Sequence, residues 1–152
     1  MNLLLDTNIL IHLAKDNSGH LFQQINPDNQ KVYVSVVTIA ELKSFALQNN
    51  WGPRKLGLLG LLLEDISAVT ISENLTDTYA QIDAYSQHRN RLFTGYTFKT
   101  ARNMGKNDLW IAATAALLGL KLVTTDNDFD HLHEVFFDVQ KFKPSDLSRP
   151  VM

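Results

Sequence analysis

Asn2-Leu3-Leu4-Leu5-Asp6-Thr7-Asn8-Ile9-Leu10-Ile11 opens the chain with three leucines, one acid and then apolar residues at helical spacing. An apolar run without alternation reads as a strand buried on both faces, which belongs in a parallel sheet covered by helices. Asp6 ends that strand, and Thr7 or Asn8 opens a helix over 8–15. The transition recurs along the chain. Residues 31–37 alternate and are β-branched, hence a strand, and residues 39–48 follow as a helix stopped by Asn49-Asn50 and Gly52-Pro53. Residues 68–71, 122–125 and 135–139 give three further strands. A Leu-rich helix over 56–63 is expected to pack on both sides. Leu75, Tyr79, Ile82 and Tyr85 mark a long amphipathic helix over 75–92, and 109–118 is an apolar helix ended by Gly119. Strands alternating with helices predict an α/β fold, a parallel five-stranded sheet with helices on both faces.

The length of 152 residues fits a single domain over 1–152, with a core at 1–142 and a C-terminal tail at 143–152 marked by Pro144 and Pro150. Cysteine is absent, which excludes disulfides, thiolate zinc sites and Cys nucleophiles and fits a reducing, cytoplasmic location. Asp6 interrupts the only apolar stretch near the N-terminus, so no secretory signal is expected. No run approaches the roughly 20 residues that span a bilayer, and no membrane association is expected. Net charge is −2, which argues against indiscriminate coating of nucleic acid. Its distribution is uneven. Between Ala84 and Asn107 there is no acid, while Arg89, Arg91, Lys99, Arg102 and Lys106 give +5, leaving −7 (−2 minus +5) for the remainder.

Asp6, Glu41, Asp108 and Asp126 each stand near a strand-to-helix junction. Each has an ordinary explanation. Thr38-Ile39-Ala40-Glu41 matches a capping box, Asp108 suits the positive end of its helix, and Asp6 and Asp126 fit turn or cap positions. Together they say more, because such junctions gather on one edge of an open α/β sheet, where ligands bind. Two like charges about 5 Å apart at an effective dielectric of about 20 cost about 3 kcal/mol. Crowding of that kind requires a cation or retained protons. Oxygen ligands alone point to Mg²⁺ or Mn²⁺, whose chemistry includes polarising water and stabilising charge on a phosphodiester oxygen.

Leu4-Leu5-Asp6-Thr7-Asn8-Ile9-Leu10 resembles the opening of PIN-domain proteins, and Ser35-Val36-Val37-Thr38-Ile39-Ala40-Glu41-Leu42 their second acidic motif. Asn107-Asp108-Leu109-Trp110-Ile111-Ala112-Ala113 resembles the third, and Val123-Thr124-Thr125-Asp126-Asn127-Asp128-Phe129 the fourth. Four short motifs in register span nearly the whole chain, and within the family the likeness is to the VapC toxins of bacterial toxin–antitoxin pairs. The resemblance implies a metal-dependent endoribonuclease that hydrolyses RNA by in-line attack of water, leaving a 5′-phosphate and a 3′-hydroxyl. It makes Asp6, Glu41 and Asp108 the core metal and catalytic residues. Asp126 completes the set, with Asp128 as the alternative fourth carboxylate. Asn8, Ser35 and Thr124 match site-lining positions. A homodimer and a cognate antitoxin are the implied protein partners.

Arg102 and Lys106 lead directly into Asp108 and are candidate phosphate contacts, since a polyanion must approach an acidic cleft. Asp126 to Asp130 also resembles the start of a calcium loop. His131 replaces the required glycine, and Phe137 the bidentate glutamate, which excludes that reading. His131 and His133 are expected at the surface of a solvated loop, His12 at the core edge, and Trp110 and Phe129 in packing. Tyr79, Tyr85, Leu56 and Leu59 fit either core or a subunit surface. Three other functions remain open from sequence: a PIN-like nuclease that is not a toxin, a PIN-like scaffold that only binds RNA or a partner, and a haloacid-dehalogenase-like phosphatase, which would need an acid where Asn8 stands.

Overall fold

A computed structural model describes residues 1–147; residues 148–152, the end of the expected tail, lie outside the described residues. Five parallel strands, β1 (Leu3–Leu5), β2 (Val32–Ser35), β3 (Ser67–Val69), β4 (Lys121–Thr124) and β5 (Val139–Lys141), form one sheet in the order β3-β2-β1-β4-β5. The chain winds outward from β1 through β2 to β3 and then crosses to β4 on the other side of β1. The crevice at the C-terminal ends of β1 and β4 is therefore the switch point at which open α/β sheets bind ligands. Asp6 stays on the sheet's frame there, its amide donating to the Val123 carbonyl at 3.0 Å.

Side-chain alternation sorts two cores. Leu3, Leu5, Val32, Val34 and Val123 face one layer, made of α1 (Thr7–Lys15), α2 (His20–Ile25), α3 (Val36–Gln48) and α4 (Pro53–Glu64). Leu4 and Leu122 face the other, with α5 (Thr76–Ser86), α6 (Lys106–Leu118) and the 3₁₀ turn Asn127–Leu132. Helices thus cover both faces of a parallel five-stranded sheet. Gly119 ends α6 at φ 64°, the left-handed conformation that glycine adopts without a Cβ clash. A last helix, α7 (Pro144–Leu147), returns Leu147 to the first core.

Several expectations need correction. The helix α3 begins at Val36, capped by the Ser35 hydroxyl, which accepts from the Val37 amide at 3.1 Å. Thr38 therefore lies inside the helix, and the Thr38–Glu41 capping box does not form. The amphipathic helix α5 stops at Ser86 rather than near Leu92, because His88 takes a left-handed turn at φ 59°. The last strand lies at Val139–Lys141 rather than 135–139: Phe137 is drawn into the second core while Glu134 turns at φ 62°. The Leu-rich α4 is not packed on both sides, since it buries only Leu59 and leaves Leu56 and Leu61 exposed. Tyr85 is core and His131 is buried, not at the surface.

The α4 correction can be measured. Leu59→Ala should cost about 2–5 kcal/mol in urea unfolding, whereas Leu61→Ala should stay within about 0.5 kcal/mol. Equal losses would mean that both faces of α4 are covered.

Candidate metal centre

Asp6 is the N-cap of α1 and almost fully buried, 5% exposed. Two donors hold it: the Thr7 amide at 2.8 Å on Oδ1 and the Thr124 hydroxyl at 2.7 Å on Oδ2. The Thr124 hydroxyl in turn accepts the Asp126 amide at 3.0 Å, so one oxygen joins the ends of β1 and β4. On the other side the Thr7 hydroxyl donates to Glu41 Oε1 at 3.0 Å. Glu41 projects from the second turn of α3, and Asp108 from the first turn of α6 after its cap Gly105. Asp126 caps the 3₁₀ turn by accepting the Asp128 amide at 3.0 Å.

These acids share one cleft of about 700 Å³, lined by Asp6, Asn8, Glu41, Asn107, Asp108 and Asp126 among others. Its wall on α3 runs Ala40, Glu41, Ser44, Phe45 and Gln48, a spacing of one helix face. Among the described residues the acids whose carboxylate oxygens come within 4.8 Å of one another as a group are Asp108, Asp126 and Asp128, without Asp6 or Glu41. Asp108 and Asp126 thus belong to both groupings. Asp128 is exposed and lines a smaller adjoining cavity with Arg102 and Gly105 rather than the main cleft. Asn8 is exposed on the cleft, Thr124 is buried beneath Asp6, and Ser35 is buried at the cap of α3 outside the residues that line the cleft.

The electrostatics follow from burial and crowding. Asp108 is pushed up to about 7, first by desolvation and then by the charges of Asp6, Asp126, Asp128 and Glu41. Burial also raises Asp6, against the lowering effect of its Thr124 and Thr7 hydrogen bonds. Asp128 is raised by desolvation and by Asp126, while Arg102 offsets part of this. A hard divalent cation fits such an all-oxygen donor set, since its charge would replace the proton that Asp108 otherwise keeps. Arg102 lies beside the acids, and its Nη1 donates to the Asn127 carbonyl at 3.1 Å. Lys106 is the exposed first residue of α6.

Sequence reading missed Thr7 as a link between Asp6 and Glu41, although it directly follows Asp6 in the opening motif. It also missed Ser44 and Gln48, whose signal was helical spacing from Glu41.

Residues 3–135 match the family model described as the PIN domain. The chain is 27% identical over 123 residues to ribonuclease VapC1 of Haemophilus influenzae, covering 80% of this chain and 84% of that protein. It is 32% identical over 130 residues to ribonuclease VapC5 of Mycobacterium tuberculosis, covering 83% and 84%. Among solved structures, VapBC-1 from nontypeable Haemophilus influenzae superposes with a TM-score of 0.70 at 25% identity, covering 93% of this chain and 98% of that one.

Burial and like-charge neighbours at Asp108 have a pH signature. Its folded value of about 7 exceeds the ordinary 3.8, so the folded chain keeps a proton that the unfolded chain releases from about pH 4 upward. This group therefore makes the cation-free protein lose stability as pH rises from about 4 through about 7. Asp108→Asn removes the loss. Urea unfolding in EDTA should show the variant gaining on wild type from about pH 5 to about pH 8. A difference that does not change with pH would contradict the raised Asp108.

Proposed function

The chain belongs to the PIN-domain family, and from that premise we propose that it is a Mg²⁺- or Mn²⁺-dependent endoribonuclease, the toxin of a VapBC-type toxin–antitoxin pair. The observation that carries this reading is the convergence of Asp6, Glu41, Asp108 and Asp126 on one cleft at the sheet's switch point. The names of the relatives, ribonucleases VapC1 and VapC5, support the same substrate class.

Asp6, Glu41 and Asp108 would hold the cation, with Asp126 as the fourth carboxylate because it lines the cleft that Asp128 does not. When bound, the cation supplies Lewis acidity toward a phosphodiester oxygen and a lowered pKa for water. The chain's residues do the remaining work. Thr124 and Thr7 fix the Asp6 carboxylate by two short hydrogen bonds, so its lone pairs are oriented before any ligand arrives. Thr7 does the same for Glu41. Asn8 lines the mouth of the cleft, Ser35 anchors the start of the helix that carries Glu41, and Arg102 and Lys106 offer cations to approaching phosphates. A phosphatase of the haloacid-dehalogenase type is disfavoured, because Asn8 offers no carboxyl two residues after Asp6 to act as acid and base.

A homodimer, a cognate antitoxin and a cytoplasmic location belong to the same reading. Among the described residues no helix is long and apolar enough to cross a membrane.

Purified protein with structured RNA should cleave it in Mn²⁺ or Mg²⁺ and not in EDTA, leaving 5′-phosphate ends. Asp6→Asn should lower kcat/KM by more than about 100-fold, and Thr124→Val by roughly 10–100-fold, as loss of an orienting partner does. Cleavage that survives Asp6→Asn would sink the assignment. Arg102→Ala with Lys106→Ala should reduce the salt slope of RNA binding by about 0.7 for each phosphate that the two side chains neutralise. An unchanged slope would remove both residues from the RNA path.

A further inference from the structure

Sequence placed His131 in a solvated loop, yet it is 5% exposed and its Nε2 lies 2.7 Å from the Ser86 hydroxyl, 45 residues away in sequence. Ser86 ends α5 and is itself fully buried. Its hydroxyl donates to Met104 Sδ at 3.3 Å, and its carbonyl accepts the Arg102 amide at 2.7 Å. One serine therefore ties together three segments: the end of α5, the approach to α6, and the turn that carries Asp126 and Asp128. Arg102 closes the circuit with its bond to the Asn127 carbonyl.

Proton placement follows from this geometry. With the Ser86 proton on the sulfur, Nε2 carries the imidazole proton and donates to Ser86. That leaves Nδ1 a bare acceptor, and it has no partner among the described residues. The opposite tautomer would bury an orphan N–H, which native structures tolerate less than an orphan acceptor. The ring lies parallel to Tyr85 (interplanar 7°) and edge-on to Phe98, with centroids 4.9 Å apart. A phenylalanine would satisfy those aromatic neighbours. The imidazole adds the bond to Ser86, and a satisfied polar link in an apolar core selects one geometry over near alternatives.

What that geometry controls is visible next door. Arg102, Met104, Gly105 and Asp128 line one small cavity of about 360 Å³, and Gly105 caps the helix that carries Asp108. We propose that Ser86 and His131 form a buried bracket that fixes the spacing between the basic approach to α6 and the acidic turn, making both positioning residues for RNA. The proposal rests on the ribonuclease reading above.

His131→Phe keeps the ring and deletes the link, His131→Gln returns an N–H near the position of Nε2, and Ser86→Ala removes the hydroxyl. With an RNA oligonucleotide at saturating Mn²⁺, His131→Phe and Ser86→Ala should raise KM roughly tenfold while kcat stays near wild type. His131→Gln should restore KM. A wild-type KM in either deletion, or a Gln variant as impaired as Phe, overturns the proposal. Amide hydrogen exchange gives an arm that needs no RNA, and Ser86→Ala serves there if His131→Phe does not fold. Residues 101–105 and 127–131 should lose protection together, the rest of the chain being unchanged; loosening of one segment alone overturns the bracket. If wild type cuts no RNA, the ribonuclease reading fails while the exchange result still decides whether these two residues join the segments.

Discussion

Mutual repulsion of carboxylates held in one cleft is the constraint around which this molecule is arranged. The sheet order puts β1 and β4 side by side, so Asp6 and Asp126 leave adjacent strand ends. Helices α3 and α6 then bring Glu41 and Asp108 to the same space. Two of these positions cannot relax far, because Asp6 is pinned to the Val123 carbonyl and Asp108 sits in the first turn of an apolar, largely buried helix. With like charges fixed in place, the remaining freedom is to keep a proton or take up a cation. Asp108, raised first by burial and then by its charged neighbours, is the proton-bound side of that choice.

Hydroxyl groups make the crowding orderly. Thr124 bridges Asp6 to the Asp126 amide, and Thr7 bridges Asp6 to Glu41, so three acids are linked through two threonines. Charge-assisted bonds of this length stabilise the ionised form and hold its orientation. Toward the solvent side the arrangement changes character. Arg102 on Asn127, and Lys141 on Asp130 at 2.8 Å, set cations around the outer acidic turn. These cations sit on the outer turn beside the cleft, whose own lining carries no Lys or Arg.

Much of this was legible in the chain. Leu3-Leu4-Leu5-Asp6 marks a doubly covered strand and the acid that ends it, and Gly119 marks the end of α6, because strand burial and helix termination are written in local residue types. Several of the errors come from long-range packing. Val135-Phe136-Phe137 looks like a strand, but Phe137 is apolar to fill the second core rather than to pair. Thr38 and Glu41 look like a capping box for a different reason: Ser35, still on β2, is a second local cap candidate three residues earlier, and it is the one that caps α3. His131 looks solvated because its partner Ser86 lies on another element. The leucines of α4 resemble a two-sided core helix, yet Leu56 and Leu61 face outward.

Crystals soaked in Mn²⁺, with the ion located by its anomalous scattering, test the account most directly. The predicted result is an ion in the cleft coordinated by Asp6 and Asp108 at a pH where Asp108 has lost its proton. A cleft that stays empty at saturating Mn²⁺, or an ion held only by exposed acids away from Asp6, would contradict the claim that this crowding exists to bind a cation.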